Sequence, residues 1–203
     1  EIVLAQPTAD ALHPAFSNLF VQTEIIRERQ TILCTRSPRS KGEPSHWMFH
    51  LMALHGKESK EVSYETDRLK FIGRGNTSVN PRAMNESAHI SETLSNTEGS
   101  VLDPIVAIRY RVKLDAGESV TIDIVSGISE TRDYALRLAE KYHDRRLADR
   151  VFNMAWTHSQ VVLRQINATE ADAQLYGRLA GSVIYNNSSL RADPKIIAKN
   201  RRG

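Results

Sequence analysis

The chain has 203 residues, 40% of them hydrophobic and 25% charged, with 27 Lys and Arg against 24 Asp and Glu. That balance fits one globular domain, or one with an appendage, and excludes a low-complexity or collagen-like chain. The basic residues form no long block beyond Arg201-Arg202 and the Asp144-Arg145-Arg146 stretch, so no nucleic-acid partner is expected.

Period-2 patterns separated by turn residues fill the first two thirds, which predicts a mostly antiparallel sheet protein. Ile2-Val3-Leu4-Ala5 is a first candidate strand. Between Leu19 and Glu24 both alternating sets are partly apolar, as in a strand covered on both faces. Thr31 to Thr35 and Trp47 to Leu54 follow, split by the breaker-rich loop from Ser37 to Pro44. Glu61 to Tyr64, Leu69 to Ile72 and His89 to Leu94 are shorter candidates. Gly73 to Glu86 reads as a long surface excursion, and a loop of that length needs a functional or packing reason. The cleanest pair comes next. Ile108, Tyr110 and Val112 mark one apolar face, and Val120, Ile122 and Ile124 mark another. The turn Leu114-Asp115-Ala116-Gly117 between them predicts a β-hairpin over a core.

After Gly127 the period becomes helical. Ala135, Leu138, Ala139 and Tyr142 share a face, with Ser129 or Thr131 as N-cap. Leu147, Val151, Met154, Ala155, His158, Val161 and Val162 trace a stripe over four turns. Trp156 lies one residue beyond it, and its ring is expected to pack. A third helix starts after Thr169, with Asp172 in a capping box weakened by the short side chain. Pro194 ends any continuation. Strands followed by helices, without a βαβ rhythm, predict a β domain with helices appended.

Cys34 is the only cysteine, so no internal disulfide can form. In Thr31-Ile32-Leu33-Cys34-Thr35 it reads as a small buried hydrophobe. No run approaches the roughly 18 apolar residues that span a bilayer. Glu1-Ile2-Val3-Leu4 opens in mid-pattern and the chain stops just after an unfinished segment, so it reads as a piece of a larger protein.

Few residues announce chemistry. His46 and His50 lie ~13 Å apart along a strand, too far to share a zinc with bonds of about 2 Å. No metalloprotease, nucleophile-elbow or phosphate-loop motif occurs, so no metal and no cofactor is expected. Glu61, Glu65 and Asp67, like Glu92 and Glu98, lack an apolar setting that would mark a raised-pKa acid, and no catalytic residue is assigned. Gly73-Arg74-Gly75-Asn76 can present Arg74 to an anion or a sugar, but lacks the helix and lysine of a nucleotide site. Trp47, followed by Met48, Phe49, Leu51 and Met52, reads as core or domain interface more than as a sugar platform.

Several stretches together carry a resemblance. They are His13-Pro14-Ala15-Phe16-Ser17-Asn18-Leu19-Phe20-Val21, Tyr64-Glu65-Thr66-Asp67-Arg68, Phe71-Ile72-Gly73-Arg74-Gly75, Leu94-Ser95-Asn96-Thr97-Glu98-Gly99 and Val101-Leu102-Asp103-Pro104-Ile105. Their order resembles the bacterial cyclic β-1,2-glucan synthases, large inner-membrane proteins whose C-terminal regions look like glycoside hydrolase family 94 phosphorylases. The resemblance implies a galactose-mutarotase-like antiparallel β-supersandwich, then linker helices, then an (α/α)6 barrel holding the catalytic acid and phosphate-binding residues. None of those residues has a matching position here.

On this basis residues 1–128 are expected to form the sandwich, incomplete at its N-terminus, and 129–203 a helical linker. The implied role is a non-catalytic accessory or carbohydrate-binding domain on the cytoplasmic side of an inner-membrane protein. Its implied partners are its own barrel, a β-glucan oligosaccharide and a second copy in a homodimer. Arg68, Arg74, Asn76 and Trp47 are the glycan- or domain-facing candidates by analogy. Three other readings stand beside it: the N-terminal domain of a cytoplasmic disaccharide phosphorylase, a stand-alone carbohydrate-binding sandwich, and a purely structural module.

Overall fold

The computed structural model describes residues 2, 4, 18–38, 41–57, 59, 61–84, 93–185 and 192–199. Its strands are β1 (Val21–Ile26), β2 (Thr31–Arg36), β3 (Trp47–His55), β4 (Val62–Asp67), β5 (Gly99–Ser100), β6 (Pro104–Tyr110) and β7 (Thr121–Ser129). Five of them form one sheet in the order β5-β1-β2-β3-β7, while β4 and β6 pair in a second. Every pairing is antiparallel, as the alternating patterns predict.

Side chains alternate across a strand, so the larger sheet buries two different faces. On one face Val21, Ile25, Ile32 and Cys34 meet Tyr64, Val62, Val106 and Ile108 of the second sheet. On the other, Leu33, Phe49, Leu51 and Ala53 meet Ala135 and Ala139 of helix α2. This explains why both alternating sets of β1 are partly apolar: Ile26 packs under the helix while Val21 and Ile25 face the small sheet.

Helices are α1 (Arg68–Ile72), α2 (Arg132–Tyr142), α3 (Arg145–Gln165), α4 (Glu170–Ile184) and α5 (Pro194–Ile197). In α2, Thr131 is the N-cap, its hydroxyl accepting from the Tyr134 amide. The fully buried Ala135 and Ala139 carry little side-chain volume at the sheet. Arg132 clamps Glu24 through two guanidinium nitrogens. At α4 the capping box closes despite the short side chain. Asp172 Oδ2 accepts from the Thr169 amide at 2.8 Å while the Thr169 hydroxyl accepts from the Asp172 amide. Hydrogen bonds from the Thr169 amide and from its hydroxyl hold the Asp172 carboxyl below its usual range.

Four expectations need correction. Leu69 to Ile72 is a helical turn, not a strand. Asp67 caps it by accepting from the Leu69 amide at 2.9 Å, and the Gly73 amide closes it onto the Leu69 carbonyl. Local capping thus outweighs a short apolar pattern. The predicted hairpin is also absent. Gly117 does take positive φ, +83°, in a turn where the Glu118 amide donates to Asp115. Yet β6 pairs with β4 and β7 with β3. The two ends of the connection are tied to different sheets, Arg111 to Glu61 and Glu118 to Lys57.

Third, β7 is turned over relative to its apolar pattern. Val125 packs into the helix-side cluster, while Ile122, Ile124 and Ile128 are 46%, 64% and 63% exposed. Gly127 sets this orientation: a Cβ there would lie 2.5 Å from Phe49 Cε1, so only glycine admits the ring. Asp123 shares that face and is held by His55 and Arg145. Fourth, Pro194 starts a short helix rather than only ending one, with Asp193 as its cap.

Of the first candidate strand, Ile2 is buried and donates to the Pro104 carbonyl, but neither Ile2 nor Leu4 is in a strand. Its other residues, His13 to Ser17 and His89 to Glu92 lie outside the described residues. Two compact units are present, Glu1–Ala148 and Asp149–Gly203.

Candidate functional site

The excursion after α1 closes a cavity of about 340 Å³. Its floor is Glu65 on β4, 2% exposed. One wall is Leu69 and Lys70 of α1 with Gly73 and Arg74 of the following turn. Opposite stand Arg82 and Ala83 of a 3₁₀ turn, and Thr93 to Ser95 and Arg109 complete the lining. Among the described residues that line the space, four carry cationic side chains and one a carboxylate, and none is aromatic.

Glu65 is consumed by the architecture. One oxygen accepts from the Thr66 and Asp67 amides, each at 3.1 Å, and the other from the amide and hydroxyl of Ser95. The next residues continue the clamp. Asn96 exchanges hydrogen bonds with the Tyr64 backbone, and the Thr97 carbonyl accepts from the Thr66 hydroxyl. Glu98 accepts from the Ile25 amide at 2.8 Å. The two motifs Tyr64–Arg68 and Leu94–Gly99, thirty residues apart in sequence, are thus one unit that ties the small sheet to β1 and forms one side of the cavity.

Two of the cations donate to neutral acceptors. Lys70 Nζ donates to Thr97 Oγ1 at 2.7 Å, and Arg109 Nη1 donates to the Ala83 carbonyl at 2.8 Å. Holding Ala83 places Arg82, whose Cβ would stand 2.8 Å from a Cβ added at Gly73. Gly73 has φ +79° and Gly75 φ +78°, so the turn needs both glycines for its backbone and Gly73 for space as well.

The four candidates from sequence separate here. Arg74 lines the cavity. Asn76 stays outside the lining and shapes the turn, its side chain donating to the Arg74 carbonyl at 3.3 Å. Arg68 also stays outside, paired with Asp103 at 3.1 Å. Trp47 begins β3 and packs in the helix-side core cluster, which excludes it from the cavity. Sequence reading missed Lys70, Arg82 and Arg109. Arg109 carried a weak signal as a polar residue on an alternating strand, while Lys70 was hidden in a predicted strand.

A second polar cluster joins sheet and helix within the first unit. Asp123, with its side chain 12% exposed, meets His55 at 3.2 Å and Arg145 at 2.6 Å. The His55 and His143 rings stand edge to face at 6.3 Å, and His143 bonds Gln30. This group fixes the first residue of α3 to the sheet.

Comparison with known proteins agrees with this architecture. The glycosyl hydrolase 94 supersandwich domain family matches residues 1–145. The chain is also 34% identical over 197 residues to the cyclic beta-(1,2)-glucan synthase NdvB of Rhizobium meliloti (strain 1021). That alignment covers 97% of this chain and 7% of the relative's length. The chain therefore belongs to the glycosyl hydrolase 94 supersandwich domain family.

Proposed function

We propose that this chain is a non-catalytic accessory domain of a bacterial cyclic β-1,2-glucan synthase, supporting a phosphorylase-like barrel of the same protein. The observation that carries the reading is the 34% identity to NdvB across 97% of the chain. In this reading residues 1–128 are the sandwich and 129–203 the linker, working on the cytoplasmic side of an inner-membrane protein. Among the described residues no helix is long and apolar enough to cross a membrane.

The helices supply a further argument. Val151, Met154, Val161 and Val162 on α3 are 43%, 60%, 48% and 38% exposed, and no residue of α3 or α4 is buried. An amphipathic stripe left uncovered within its own unit is suited to packing on another surface. The barrel is the proposed occupant, because the matched relative is some fourteen times the length of this match.

The test expresses the barrel of the same protein separately and measures association with this chain. Firm binding, lost when Val151 and Met154 are both changed to Asp, is expected. Absence of binding would sink the accessory reading. Titration of β-1,2-glucan oligosaccharides then separates scaffold from glycan-facing module: saturable binding lost in Arg74→Ala makes the domain glycan-facing.

A further inference from the structure

We propose that β7 is a self-association strand: two copies of this chain join their larger sheets edge to edge, β7 against β7, antiparallel about a twofold axis at Val125. Val125 packs toward α2, so its neighbours Ile122, Ile124, Ser126 and Ile128 share the opposite side of the strand, and all four are exposed. They stand beside Leu54, Met52, His50 and Met48 of β3, which makes the apolar surface two strands wide. Ser126, the one hydroxyl in the row, is taken by His50 Nδ1 at 2.7 Å.

The edge itself is unguarded. Folded proteins keep edge strands from pairing by making them short, or by placing Pro, a bulge or Lys on them. β5, at the other end of the sheet, is two residues long. β7 has nine residues with no Pro or Lys, and it matches β3 in one unbroken register. Among the described residues it ends the sheet. Its one charged residue, Asp123, lies on the helix side and is held by His55 and Arg145.

The order of residues along β7 selects a second copy as the occupant. A twofold axis at Val125 gives the one antiparallel self-pairing that uses every position from Thr121 to Ser129. It sets Ile122 against Ile128 across the axis, and Ile124 against Ser126. Asp123 then meets Gly127, so like charges never stand opposite each other, an arrangement that would destabilise the pair. Paired residues share a face in this register, and the two isoleucine rows merge into one continuous surface. The contact is isologous and closes on itself.

The inference does not depend on the accessory reading. Sedimentation velocity of the 203-residue chain, over about 1 to 300 μM, covers the affinities of small interfaces. A concentration-dependent dimer is expected, with amide exchange slowing at alternate residues of β7 as it forms. Ile122→Lys and Ile128→Glu should each weaken it about tenfold, because the axis counts every change twice. Placed together in one chain they face each other across the axis, and association should return to within about threefold of the wild type. Within one copy they lie ~20 Å apart along the strand and cannot compensate each other there. Ile122→Lys with Ile128→Lys should abolish the dimer. Both positions lie outside the core clusters, so the variants should keep the near-ultraviolet circular dichroism of the wild type. The proposal is overturned by a chain that stays monomeric throughout, by a dimer without slowed exchange in β7, or by a folded Lys and Glu double variant that fails to re-associate.

Discussion

A carboxylate only 2% exposed at the floor of a cavity usually signals chemistry, and Glu65 is the residue where that inference has to be weighed. All four of its hydrogen bonds come from groups that build the fold, so its removal should be read as a loss of stability. Glu65→Ala strands three amides and a hydroxyl and is expected to cost about 3 kcal/mol in urea denaturation. Ser95→Ala should cost about 1 kcal/mol and couple to it in a double-mutant cycle. A Glu65 variant of unchanged stability would show that these bonds do not hold the fold. At Cys34, burial pushes the thiol up to about 12. A raised folded pKa means stability that is complete below the unfolded value and is lost as pH rises through the folded one. Native Cys34 should therefore resist iodoacetamide at pH 8.5, and stability should fall above about pH 9 in the wild type but less in Cys34→Ala. Of these residues Cys34 was legible, because a strand pattern surrounds it. The turn that carries Arg74 was legible through its flanking glycines. Glu65 could not be distinguished from a surface carboxylate, since its partners Thr66 and Asp67 are local but Ser95 is thirty residues away.

At the scale of elements, β1, β2, β3 and α2 followed from periodicity, because their apolar stripes are the faces they bury. The pairing of β6 and β7 did not follow. Each strand has a clean apolar face and a turn lies between them, which is all a hairpin needs locally. What decides is the partner each strand finds, β4 or β3, and that is a long-range choice. The same limit applies to the orientation of β7, where Gly127 under the Phe49 ring overrides three isoleucines. Gly127→Ala should cost about 1 to 3 kcal/mol, because the ring must move for a Cβ. The isoleucines themselves lie on the last strand of the sheet among the described residues, opposite Leu54, Met52 and Met48. An apolar edge strand is a template for self-association. Ile124→Lys is expected to change stability by less than about 0.5 kcal/mol while shifting the chain toward monomer in analytical ultracentrifugation. If the variant associates as the wild type does, β7 is not the contact.

The molecule as a whole divides after Ala148, and both core clusters are closed by residues up to Tyr142. The change from period 2 to period 3.6 announced the helices, but periodicity says nothing about whether a stripe finds a partner. α2 buries Ala135 and Ala139 at 0% and 1% exposure, whereas α3 presents an equally regular stripe and buries nothing. Trp156, expected to pack, is 67% exposed. Helical pattern without burial provides little stability, since helices in water gain most of theirs from packing. A chain ending at Ala148 should then keep the cooperative tertiary transition of the first unit, with Tm within about 3 °C of the full chain by near-ultraviolet circular dichroism. In the full chain, trypsin should cut first after Arg150, Arg164 or Arg178, whose helices have no buried residues. Cleavage within β1 or β2 should await global unfolding, because the strands are the buried center of both clusters. A large drop in Tm on truncation would mean that the helices beyond Ala148 stabilise the sheet, and that the two core clusters are not self-sufficient.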